Sequence, residues 1–149
     1  MTEILFYQLD GQRLEVVLAK LLERCLERGW RAVVEATSRE RIEALDAYLW
    51  TYREEAFLAH GTSGDPHAEL QPVYLCDGAE NPNRAAVRFF VDGAEFADLA
   101  PYERAVYVFD GRDDAERELA RSRWRAVSGA GRDITYWKQD ETGRWVKQG

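Results

Sequence analysis

Cysteine, histidine and lysine are scarce in this sequence, and each scarcity excludes something. Two cysteines, Cys25 and Cys76, are too few for a disulfide framework. Each sits in an apolar-patterned segment, where a free thiol behaves as a small buried hydrophobe. The two histidines, His60 and His67, have no His-x-x-x-His or Cys-x-x-Cys partner, so no metal site is expected. No apolar run approaches the roughly 20 residues that span a bilayer, so no membrane segment is expected. Met1-Thr2-Glu3-Ile4 lacks the basic start and small-residue cleavage site of a secretory signal, which makes the cytoplasm the expected location. Positive charge is also short: a formal net charge of −7 argues against direct, broad binding to nucleic-acid phosphates. Apart from Lys20, Lys138 and Lys147, every basic side chain is an arginine.

Glycine is missing where a nucleotide would need it. The loop Gln8-Leu9-Asp10-Gly11-Gln12-Arg13, which follows the first predicted strand, holds one glycine where a dinucleotide fingerprint needs three. It contains nothing like the Gly-Lys-Ser/Thr of a P-loop, so no cofactor is expected there. No Gly-x-Ser-x-Gly elbow occurs anywhere. Asp10, Glu35 and Asp110 would stand near the C-terminal ends of strands, where α/β enzymes place catalytic groups. Carboxylates at such places also form turns and cap helices, and no catalytic residue is assigned.

What the chain does have is enough for an ordered core. It is 149 residues long and 46% hydrophobic, with five Trp, seven Tyr and six Phe, which predicts one domain over residues 1–149. Ile4–Leu9 reads as a buried strand. From Gln12 to Arg28, Leu14, Val17, Leu18, Leu21, Leu22 and Cys25 keep a helical period, and Gly29 ends it. Ala32–Val34 is a short strand, and Thr37-Ser38-Arg39-Glu40 starts a second helix with Ile42, Leu45, Tyr48 and Leu49 inward. Glu54–Gln71 reads as a long connection. Strands follow at Val73–Cys76, Ala86–Val91 and Ala105–Phe109, with a single helical turn at Phe96–Leu99. A helix occupies Ala115–Val127, and Asp133–Lys138 pairs with Arg144–Lys147 in a terminal hairpin. Strands alternating with helices predict an α/β fold with a mainly parallel sheet and helices on both faces.

The helix A-E-R-E-L-A-R-S-R-W-R-A-V is where the sign of the charge reverses. At about 100° per residue, Arg117, Arg121, Trp124 and Arg125 share one face, while Leu119, Ala120, Ala126 and Val127 fall opposite. Glu118 lies about 100° from Arg117, so the stripe is expected to lack an internal counter-charge. Two roles stay open for this face: a solvated surface laced by ion pairs, or a site for an anionic, partly apolar ligand. Arg123 projects toward the apolar side, where a guanidinium needs carbonyls or a carboxylate, and is expected to be structural.

Several ordered blocks resemble one family. They are Phe6-Tyr7-x-Leu9, Leu45-Asp46-x-x-Leu49-Trp50-Thr51, Phe57-Leu58-x-His60-Gly61, Pro72-Val73-x-Leu75, Leu119-Ala120-Arg121-x-Arg123-Trp124-Arg125, Tyr136-Trp137 and Gly143-Arg144-Trp145. In this order they resemble the chi subunit of bacterial DNA polymerase III holoenzyme. The resemblance implies a Rossmann-like three-layer α/β domain without a nucleotide, and a non-catalytic accessory subunit associated with the clamp loader. It implies two partners. The acidic C-terminal tail of single-stranded DNA-binding protein, which ends in proline and phenylalanine, would bind Arg117, Arg121, Trp124 and Arg125. A psi-type subunit would meet Trp50 and Phe57. Arg121 matches the family directly, whereas Arg117 and Arg125 stand where some relatives have lysine, and Trp124 where some have tyrosine. From a different class, an α/β enzyme acting on a small anionic substrate held by the arginine-rich helix remains the alternative.

Overall fold

A computed structural model describes residues 2–51, 60–62, 67–96, 98–128 and 133–148. Among these residues, eight strands form one sheet in the order β3-β4-β2-β5-β6-β1-β7-β8. They are β1 (Glu3–Leu9), β2 (Ala32–Glu35), β3 (His60–Thr62), β4 (Val73–Cys76), β5 (Val87–Phe90), β6 (Arg104–Asp110), β7 (Ile134–Gln139) and β8 (Trp145–Gln148). All pairings are parallel except that of β8, which runs antiparallel to β7 as the terminal hairpin. Among the described residues, the helices α1 (Leu14–Glu27), α2 (Arg39–Thr51) and α3 (Asp114–Val127) cover it.

The two-residue period of β1 divides the core into two layers. Leu5 and Leu9 pack with Leu18 and Leu22 of α1 and with Ile42 and Leu45 of α2. Ile4 and Phe6 face the other way, with Tyr107 and Phe109 of β6 and Ala120 and Val127 of α3. The result is a three-layer α/β arrangement with α1 and α2 on one face and α3 on the other. Strands buried on both sides need apolar residues at successive positions, which is why Ala32-Val33-Val34 and Ala105–Phe109 read as continuous runs.

Local signals explain the helix ends. Gly29 (φ +78°) takes the left-handed position after α1, where a side chain would be strained. Ser38 Oγ accepts the N–H of Arg41 at the start of α2, and Asp113 accepts those of Ala115 and Glu116 at the start of α3. No helix among the described residues is long and apolar enough to cross a membrane.

Two expectations fail. The connection Glu54–Gln71 contains a strand, His60–Thr62, and a 3-10 turn, Ala68–Leu70. A three-residue edge strand reading His-Gly-Thr has no apolar run to announce it; pairing with β4 creates it. At Phe96–Leu99, residues 96, 98 and 99 are not helical. Phe96 instead packs its ring edge-on against Phe6 and Phe90, so tertiary contact decides that segment.

Candidate functional site

The sheet order brings three distant strands under one helix. α3 connects β6 to β7, and these strands flank β1. Gln8 from β1, Phe109 from β6 and Tyr136 from β7 therefore lie beside α3. Together with Ala120 and with Arg117, Arg121, Trp124 and Arg125 they line a groove of about 490 Å³. All four helix residues singled out from the sequence come together in it. Sequence reasoning missed its other wall, whose one visible signal was a polar Gln8 inside an apolar strand.

Trp124 is half-buried and belongs to the core as well as to the groove. Its ring meets Phe6 edge-on at 5.1 Å and Tyr136 at 5.9 Å. These contacts hold the indole in place before any ligand arrives. The inward face of α3 differs from the expected one. Ala120 and Val127 are buried, but Leu119 is 39% exposed and Ala126 is exposed. The buried stripe runs through Ala120 and Val127 with Arg123 and Trp124 at intermediate exposure, a rotation that moves Trp124 to the border between core and groove.

The expected absence of a counter-charge is also corrected. Arg121 pairs with Glu118 at 2.7 Å, and Arg117 pairs with Asp114. Residues three apart on a helix are only about 60° apart around the axis, so each carboxylate reaches the arginine ahead of it. Such exposed pairs contribute about 0.2–0.5 kcal/mol each and are readily exchanged. Arg125 makes no ion pair among the described residues.

Arg123 behaves as the apolar side of its helix requires. It is largely buried and donates to the carbonyls of Gly93 (2.8 Å) and Ala94 (3.3 Å), tying α3 to the turn after β5. Burial pushes the Tyr136 hydroxyl above its ordinary pKa, with the charge of Arg121 acting in the opposite sense.

A second cavity of about 360 Å³ opens where the chain leaves β1 and β6 on opposite faces of the sheet. Its charges are largely committed: Arg112 holds Asp10 at 2.9 Å, and Asp110 accepts the N–H of Arg112. Glu35, the third carboxylate near a strand end, is paired at 2.7 Å with the buried Arg88. Neither Asp10 nor Asp110 lines the arginine groove. Among the described residues, no group of three or more His, Cys, Asp or Glu is placed to hold a metal ion. Cys25 and Cys76 are both buried and free, and burial pushes each thiol up to about 11. Trp50 falls at the end of α2 with its side chain outside the described residues, and Phe57 lies outside them altogether.

The model of the family described as DNA polymerase III chi subunit, HolC, matches residues 1–135. The chain belongs to the chi subunit family. The family match takes in every residue of the groove except Tyr136, which lies just beyond its end. A curated relative, the probable DNA polymerase III subunit chi of Rickettsia prowazekii (strain Madrid E), is 28% identical over 109 residues. That alignment covers 73% of this chain and 66% of the relative, just under two thirds of its length. Chi-family membership and the three-layer fold agree with the resemblance carried by the sequence blocks.

Proposed function

We propose that this chain is a non-catalytic accessory subunit of the bacterial DNA polymerase III. In this role it binds the acidic C-terminal tail of single-stranded DNA-binding protein in the α3 groove and works in the cytoplasm beside the clamp loader. The observation that supports this most is that Arg117, Arg121, Trp124 and Arg125 line one groove with Phe109 and Ala120 beside them. Guanidinium groups are planar donors that suit carboxylates, so Arg121 with Arg117 or Arg125 takes the terminal carboxylate and neighbouring aspartates. The fixed indole of Trp124 forms one wall for the terminal phenylalanine ring. The peptide's carboxylates replace Asp114 and Glu118, an exchange of like for like at an exposed surface. Elsewhere the net charge of −7 discourages contact with the DNA backbone itself.

A psi-type partner at Trp50 and Phe57 is the second half of the proposal; it rests on the sequence blocks and on chi-family membership. Titration calorimetry with a tail peptide tests the first half. Arg121→Glu is expected to abolish binding while the circular dichroism spectrum stays that of the wild type. Undiminished affinity in that variant would overturn the assignment.

A further inference from the structure

The wall of the groove facing α3 carries a polar pair that the arginine helix does not explain. Tyr136 donates its hydroxyl to Oε1 of Gln8 on the adjacent strand. That bond occupies the amide's acceptor side and orients the group, leaving Nε2 as a double donor. Nε2 has no hydrogen-bond partner among the described residues. The side chain fits there because residue 111 is glycine: a Cβ at Gly111 would come within 2.3 Å of Nε2 and 2.6 Å of Cγ. Gln8 and Tyr136 both line the groove, and the charge of Arg121 is felt at the Tyr136 hydroxyl, so the pair and that arginine address the same space. A groove furnished with guanidinium and amide donors calls for a ligand group rich in acceptors. A carboxylate, with two oxygens, can take a charged donor on one and a neutral donor on the other.

Taking the groove as an acidic-peptide site, we propose that Gln8 is its specificity-determining residue: held by Tyr136 and given room by Gly111, its amide donates to one oxygen of the peptide's terminal carboxylate while Arg121 holds the other. Arginines attract any carboxylate, side-chain or terminal. A neutral donor at a fixed place adds direction without adding charge, so it distinguishes the chain end from the aspartates before it.

Fluorescence anisotropy tests this with two labelled peptides of acidic residues ending in proline and phenylalanine, one with a free carboxyl end and one with a carboxamide. Wild-type protein is expected to prefer the free acid. Gln8→Leu should weaken binding of the free acid on the order of tenfold and collapse that preference. Gly111→Ala keeps the glutamine but displaces its flexible end, and should shift the preference the same way. Arg121→Ala should weaken binding of both peptides. If the wild type binds and both Gln8→Leu and Gly111→Ala keep the full preference, Gln8 does not read the carboxylate and the proposal falls alone. If the wild type binds neither peptide, the acidic-peptide assignment falls and takes this proposal with it.

Discussion

Glu118 holds Arg121 at 2.7 Å from one helical turn away, so the central arginine of the α3 stripe already carries a carboxylate of its own. On the proposed function, an incoming acidic peptide competes with that partner rather than with water. Glu118→Gln removes the competitor and a nearby negative charge. We expect the affinity for an acidic peptide to rise about twofold in a calorimetric titration. A loss of affinity would mean that Glu118 orients Arg121 rather than masking it.

Arg117 and Arg125 differ in the same respect. Arg117 must give up Asp114, whereas Arg125 has no ion-pair partner among the described residues. Arg125→Ala should therefore cost more affinity than Arg117→Ala. Both arginines are exposed, so charged contacts there would be screened, and wild-type binding should be roughly tenfold weaker at about 0.5 M than at about 0.05 M salt. Anisotropy titrations over that range report both effects.

Arg123 lies on the same helix but should fail differently. Arg123→Met keeps an apolar stem and strips the Gly93 and Ala94 carbonyls of their donor. The expected effect is a loss of about 1–3 kcal/mol in urea unfolding. Peptide affinity, measured well below the unfolding midpoint, should stay close to wild type.

Glu116 gives the stability a pH dependence whose sign is fixed. Burial raises the pKa of its carboxyl against the hydrogen bond it accepts from the Asp110 N–H, and the negative charges of Asp110, Asp113 and Asp92 add to the rise. The folded state then binds the proton more tightly than the unfolded chain does. Its contribution to stability is present below the unfolded pKa and is lost as pH rises through the folded one. Glu116→Gln should therefore raise the urea midpoint at neutral pH and have little effect in acid, where the wild-type group is already protonated. Parallel shifts at both pH values would assign the effect to packing instead.

The helix wall of the groove was legible because α3 carries its information locally. A 3.6-residue period puts Arg117, Arg121, Trp124 and Arg125 together whatever the rest of the chain does. The same geometry, applied at a spacing of three, also contained the pairs Asp114–Arg117 and Glu118–Arg121. The opposite wall was not legible. Gln8 and Tyr136 meet only because β1 pairs with β7, a contact between the two ends of the sequence that no local pattern encodes. The fold divides in the same way. Buried strands such as Ala105–Phe109 declare themselves by composition, and α1 by its period and by Gly29. β3, a three-residue edge strand, exists through its neighbour β4 alone.

Because α3 bridges β6 and β7 across β1, the groove is assembled from Gln8, from the span 109–125 and from Tyr136, segments far apart in the sequence. A nascent chain that has emerged only as far as α3 displays its arginines but has no Tyr136 and no β7 beside β1. On the proposed function, peptide capture then requires synthesis to have passed β7, and a product terminated at α3 would carry the charge without the ability to hold its ligand.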